Sequence, residues 1–369
     1  MRVGIAGWFG SDNLGDEMLL HSLITSVRTT VPDATFVVLS PDPERVTQLH
    51  QVDAVHMPVL RARGAGERQK AVQRAMRECD ILFLGPGTVF QERSPNLPWP
   101  GTLPMFARIV AMARLAGTKV AVAGAAVRED GTPVGERVLR WIGARCVAVG
   151  VRDQRSANVF GRDAQVIGDM AYTLPLPSVA GTAPAPRFGL SLRPLAPEVE
   201  ASLVAAASGA VQRLRGDGLS GMFLSMAYGR GANGENDGTV YERSFSDVMG
   251  IVTSPLDGDR PLSATLDDWL AGLASYRLVM ATRLHAALLA VAMGVPTVAI
   301  AYERKVLDAF HDLGLGDYVV GKDVDADTLY RTSAAALSAP HVFQEAAERV
   351  SAQGAIARAY IASVLKGLN

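Results

Sequence analysis

Several things are scarce or missing in this sequence, and each scarcity excludes something. Its 369 residues contain two cysteines, Cys79 and Cys146, far apart in the chain. That excludes a disulfide framework and a cysteine-based zinc site and suits a reducing cytoplasm. Positive charge is not in surplus: 36 Lys+Arg against 37 Asp+Glu give a net charge of -1, whereas a general nucleic-acid binder needs a basic excess to neutralise phosphates. Nucleic acid is therefore not an expected partner. The longest apolar region, Ala286 to Tyr302, is broken by Gly294-Val295-Pro296, short of the roughly 20 residues that cross a bilayer. The chain runs from Met1 straight into Val3-Gly4-Ile5-Ala6-Gly7, without the leader, apolar core and cleavage site of a secretory signal. Lysine is rare: five of the 36 basic residues, at 70, 119, 305, 322 and 366, so each one is more informative than usual. The six histidines, at 21, 50, 56, 285, 311 and 341, have no metal-ligand spacing, and the HExxH, GxSxG and kinase patterns are lacking. No metal is expected.

What remains is a chain long enough for two domains of roughly 150–200 residues. Short apolar, β-branched runs at 2–7, 35–40, 80–84, 118–124 and 146–151 alternate with helical patterns near 16–30, 67–78, 102–116 and 133–143. Such alternation predicts an α/β fold with a parallel sheet covered on both faces. Leu174 to Pro186 is proline-rich and uncharged, and reads as a linker. A second series begins at Arg187-Phe188-Gly189-Leu190-Ser191-Leu192 and continues through 221–225, 278–281 and 297–301. The expected organisation is a Rossmann-like domain over 1–175, a linker over 176–186, a second Rossmann-like domain over 187–341, and a helix over 342–369 that crosses back to the first domain. Two such domains would face each other across a cleft at the carboxyl ends of their sheets, where ligands of open α/β folds bind.

Six places could carry chemistry. The turn Gly7-Trp8-Phe9-Gly10-Ser11-Asp12-Asn13-Leu14-Gly15-Asp16-Glu17 has P-loop glycine spacing at Gly10 and Gly15. Asp16, however, stands where the phosphate-binding lysine belongs, and a carboxylate there repels phosphate. Asn13, Asp16 and Glu17 instead suit sugar hydroxyls, or Asp16 simply caps the helix. Gly85-Pro86-Gly87-Thr88 follows a buried strand, where glycines let backbone amides approach a ligand; a tight loop is the plainer alternative. Arg152 and Arg193 each end a strand, placed to clamp a carboxylate or phosphate with a bidentate fork, against the duller option of a surface ion pair. In Thr282-Arg283-Leu284-His285, the histidine opens an apolar helix whose free amides attract anions, though a lone histidine is commonly structural. Lys305, in Tyr302-Glu303-Arg304-Lys305-Val306, is either a phosphate ligand or a solvated charge.

Together, GWFGSDNLGDEMLL (7–20), FLGPGTVFQE (83–92), GVRDQRS (150–156), GDMAYTLP (168–175), SLRP (191–194) and ATRLHAALLAVAMGVPTVAIAYERKV (281–306) resemble the polysaccharide pyruvyltransferase family, in order and across most of 1–320. Gly85-Pro86-Gly87 stands where the family has a triple-glycine turn, and the polar run Arg230 to Glu242 is atypical of it. The resemblance implies a GT-B-like architecture and transfer of the pyruvyl group of phosphoenolpyruvate to a saccharide-type acceptor, lipid- or nucleotide-linked, closing a ketal with release of phosphate. Phosphoenolpyruvate is then the donor substrate, and no cofactor is expected. By the same resemblance Arg152 and Arg193 bind the donor anion. Arg283, His285 and Lys305 form the catalytic segment, with His285 as its histidine. Asn13 and Asp16 match the amino-terminal glycine loop that faces the acceptor, and Gly85 and Gly87 are further candidates for substrate binding. The implied location is cytoplasmic, peripheral to the inner membrane surface where the acceptor is lipid-linked. Two rivals stand beside this reading: a GT-B glycosyltransferase using a nucleotide-sugar, and a repurposed family member with another acceptor or without catalysis.

Overall fold

The structure is a computed structural model describing residues 1–58, 65–92, 101–128, 131–161, 163–177, 185–228, 235–256, 258 and 260–368. The centre of the linker, 178–184, and residues 230–234 of the polar run lie outside the described residues. The chain divides into two units. One comprises Met1–Ser11, Asp16–Leu174 and Gln353–Asn369, the other Asp12–Gly15 and Pro175–Ala352.

The first unit is built on a wholly parallel sheet of β1 (Arg2–Ala6), β2 (Thr35–Ser40), β3 (Asp53–His56), β4 (Ile81–Leu84), β5 (Gly87–Phe90), β6 (Lys119–Val127), β7 (Ala148–Val151) and β8 (Ala164–Val166). Their order is β3-β2-β1-β4-β6-β7-β8, with β5 also beside β6. Val3 pairs with Phe36 on one side and Ile81 on the other. Parallel strands need crossover helices, and those helices cover both faces, so the central strands carry continuous apolar runs. All four residues of β4 are fully buried. The second unit repeats the plan with β9 (Arg187–Ser191), β10 (Ser220–Leu224), β11 (Gly250–Val252), β12 (Leu278–Ala281), β13 (Thr297–Ala301) and β14 (Val319–Gly321), in the order β11-β10-β9-β12-β13-β14. Both orders are 3-2-1-4 at the centre, the doubly wound Rossmann arrangement. In each sheet the loops leaving the first and fourth strands diverge and open a crevice at the carboxyl ends.

The helices Leu14–Thr30, Ala65–Glu78, Leu103–Ala116 and Pro133–Gly143 lie where the periodicity predicts them. The short strands β3, β5, β8, β11 and β14 are not legible in the same way. Four of them lie at sheet edges, and with three or four residues each all five are too short to show a periodicity. The last helix, Pro340–Lys366, begins among residues of the second unit, and its stretch from Gln353 belongs to the first. There the Tyr360 hydroxyl donates to the Val122 carbonyl at 2.7 Å. Its ring lies so close to β7 that a Cβ on Gly150 would come within 2.7 Å of it. Lys119, one of the rare lysines, donates to the Leu368 carbonyl at 3.0 Å. Among the described residues no helix is long and apolar enough to cross a membrane.

Cys79 packs in the core of the first unit and Cys146 lies against it. Burial pushes both thiols from the ordinary 9.0 up to about 12. A raised pKa favours the neutral form in the fold, so this contribution to stability is level below the unfolded value and is lost as pH rises through the folded one. Neither thiol should react with a thiol reagent in the native protein at pH 8, and both should react in denaturant. Stability attributable to them should decline only between pH 9 and about 12, measured by denaturant unfolding of Cys→Ala variants across that range.

Candidate functional site

In the second unit the site starts from the pairing of β9 with β12. The Thr282 N–H donates to the Ser191 carbonyl at 2.8 Å, and the Thr282 hydroxyl accepts the Arg193 N–H at 2.9 Å. The two loops therefore leave the switch point side by side, one carrying Arg193 and the other Arg283. Pro194 cannot donate to a strand ladder, and β9 has ended by then. Arg283 is the residue preceding the helix Leu284–Ala292.

Neither arginine is a bare cation. Arg283 grips Asp237 with both Nε, at 3.1 Å, and Nη2, and its Nη1 donates to Glu235 Oε2 at 2.8 Å. Asp237 also accepts the N–H groups of Met226 and Ala227 at 2.9 and 3.2 Å; its side chain is fully buried and that of Arg283 is 7% exposed. Burial works against the guanidinium charge, but Asp237 and Glu235 outweigh it and hold the arginine above its ordinary pKa. Arg193 donates to the other Glu235 oxygen, Oε1, and to the Tyr302 hydroxyl, with its guanidinium 4.8 Å from the Tyr302 ring centroid. Lys305 pairs with Glu303 at 2.6 Å and stands 5.9 Å from the same ring.

Residues 12–15 close this arrangement. Asn13 bridges Ala227, the Leu14 N–H donates to the Met226 carbonyl at 2.8 Å, and the Tyr228 N–H donates to Asp12 at 3.2 Å. Gly15 lies against His285: a Cβ there would sit 2.2 Å from His285 Nδ1, so only glycine leaves room for the imidazole. Asn13 Oδ1 accepts the Gly15 N–H at 3.0 Å, a helix-capping bond. Asn13 thus caps the helix Leu14–Thr30.

In the first unit, Gly85 and Gly87 both have φ of +98°, backbone that favours glycine. A Cβ on Gly87 would lie 3.9 Å from Asp16 Oδ1, which puts Asp16 beside this turn. Arg152 follows β7, with Asp153 and Asp169 at 3.6 and 3.7 Å. Glu17 corrects the sequence reading. It cannot meet a sugar hydroxyl, because its side chain is fully buried. One oxygen accepts the Gly10 N–H at 2.7 Å and the other meets His50 Nε2 at 2.9 Å; the residue holds the glycine loop in shape.

Arg193, Arg283, His285, Lys305 and Asn13 thus belong to the second unit, and Arg152, Asp16, Gly85 and Gly87 to the first. Sequence reasoning missed Glu235, Asp237 and the role of Tyr302. The signal present was only a general one, that arginines at buried strand ends require counter-charges; it did not say which of the 37 acidic residues supply them.

The description "Polysaccharide pyruvyl transferase" belongs to the family profile that matches residues 13–304. The chain belongs to the polysaccharide pyruvyl transferase family. By that membership it is a transferase. Arg152, Arg193, Arg283 and His285 lie within the matched region and Lys305 one residue past it. The comparison with curated proteins gave no match. Solved structures are similar in fold. A glycosyltransferase from Rickettsia africae ESF-5 has 10% identity and a TM-score of 0.61, over 100% of this chain and 98% of that one. UDP-GlcNAc 2-epimerase from Neisseria meningitidis, bound to UDP-GlcNAc, has 9% identity and a TM-score of 0.60 over 99% and 100%. A spinosyn rhamnosyltransferase has 12% identity and a TM-score of 0.54 over the whole of both chains. At such identities the likeness establishes the GT-B-like fold of this family member and nothing of its substrates.

Two substitutions test this geometry. Asp237→Asn leaves a buried guanidinium short of its counter-charge and should cost about 3–5 kcal/mol of stability, read by denaturant unfolding. Gly15→Ala should cost about 1–3 kcal/mol by overpacking and shift the His285 ring resonances in NMR spectra; unmoved resonances would mean that the ring is not held there.

Proposed function

We propose that the protein transfers the pyruvyl group of phosphoenolpyruvate to two hydroxyls of a saccharide acceptor, forming a ketal and releasing phosphate. Family membership supports the reaction class. The observation that carries the donor is that Arg193 and Arg283, from adjacent strand ends, hold the two oxygens of one carboxylate. A pair of guanidiniums able to share a carboxylate is what an enolpyruvyl anion needs, and charge-assisted bonds of this kind are the strong ones. Lys305 adds a cation near Tyr302. Arg152, Asp16, Gly85 and Gly87 are the first unit's candidates for substrate binding, and Asn13 stands beside His285's neighbour Gly15.

In this reading His285 gives a proton to the methylene carbon of phosphoenolpyruvate, leaving an oxocarbenium-like centre at C2. An acceptor hydroxyl attacks that centre and gives its proton to the His285 imidazole, which the first step left deprotonated. Phosphate departs with the electrons of its C–O bond, and a second hydroxyl closes the ketal at C2, its proton passing to the departed phosphate. The fixed cations stabilise the departing phosphate, so the reading calls for no metal and no cofactor. It puts the reaction in the cytoplasm, at the inner membrane surface for a lipid-linked acceptor.

The test is incubation with phosphoenolpyruvate and candidate glycans, following phosphate release and the mass gain of the acceptor. Consumption of a nucleotide-sugar with phosphoenolpyruvate left intact would replace this reading by glycosyl transfer. His285→Gln keeps a hydrogen-bonding side chain but cannot deliver the proton. Turnover should fall about 10²–10⁴-fold with anion binding largely kept, and a wild-type rate would remove His285 from the chemistry.

A further inference from the structure

Glu235 differs from its neighbour two residues on. Asp237 is fully buried and takes four donors, two from Arg283 and two from the backbone. Glu235 keeps 21% of its side chain exposed, and each of its oxygens is taken by a different guanidinium. Arg193 has a further donor, Nε, that is buried without a hydrogen-bond partner among the described residues; a buried donor in that state costs free energy that an acceptor would recover. The cluster is electrically closed, two guanidiniums against two carboxylates, so an anion approaching the arginines meets a carboxylate already in place. Asp237 would still hold Arg283, and Tyr302 would still support Arg193, if Glu235 let go.

We infer that Glu235 is an internal stand-in for the carboxylate of the donor substrate: it keeps Arg193 and Arg283 charged and aligned, and it yields its place when an organic carboxylate binds. The inference rests on the reading that these arginines bind the donor anion. It makes Glu235 a residue that sets specificity, because a ligand must supply the two-oxygen planar edge that Glu235 gives up. A carboxylate meets the forked guanidinium geometry directly. It also sets the sign of the effect of removing Glu235, since like charges brought together in one site oppose binding.

The experiment is calorimetry on the full chain with phosphoenolpyruvate and, separately, with pyruvate, comparing the wild type with Glu235→Gln and Glu235→Ala, with thermal unfolding recorded for each. Both variants should bind both probes about tenfold or more tightly than the wild type. If Glu235→Ala does not fold, Glu235→Gln decides alone. A residue that merely positioned the arginines would give weaker binding when changed; weaker or unchanged affinity overturns the inference, as does failure of every form to bind either probe. Tighter pyruvate binding in the variants, with phosphoenolpyruvate bound by none, would keep the role of Glu235 and remove phosphoenolpyruvate as donor.

Discussion

One carboxylate wholly withdrawn from water organises the second unit. Asp237 ties the 226–227 backbone to the Arg283 guanidinium, and through those two anchors it reaches almost everything else in the site. The 226–228 segment pairs with residues 12–14, and Gly15 lies against His285, two residues beyond Arg283. An ionised carboxylate with no partners in such a place would be too costly to keep. Its four donors must therefore arrive together, and that requirement makes the ring of contacts all-or-none.

The first unit uses the same device with different residues. Glu17, equally buried, holds the loop after β1 through the Gly10 N–H and faces His50. In the first unit the buried acid pins the loop after β1, at the point where strand order reverses; in the second, Asp237 pins the loop after β10 and reaches that point through the Arg283 side chain. The crevice at that point is the part of a doubly wound sheet that most needs help, since the diverging loops leave backbone groups that no neighbouring strand satisfies.

The fold was legible because its central strands are apolar throughout. Ile81-Leu82-Phe83-Leu84 or Leu278-Val279-Met280-Ala281 can hardly be anything else between helical segments, and the parallel order follows from their alternation with helices. The basic half of the site was legible too, since arginines immediately after such strands stand out. Its acidic half was not. Glu235 and Asp237 sit in a polar run that looks like a solvated insertion, and nothing in local pattern reveals that these two acids meet two arginines. Glu17 misled for the mirror-image reason: in a glycine-rich turn it resembles a ligand-facing group, while helix geometry points it inward. Burial of a charge is a tertiary fact, and periodicity carries no record of it.

Neither unit is a single stretch of chain. The first contains residues up to Leu174 and then nothing until Gln353, where the last helix lays Tyr360 against β6 and β7. During synthesis, when domains generally fold amino-terminal first, this unit emerges early but lacks the piece that covers two of its strands. The covering helix is made only after the entire second sheet, so the packing of β6 and β7 cannot be completed before the strands of the other unit exist.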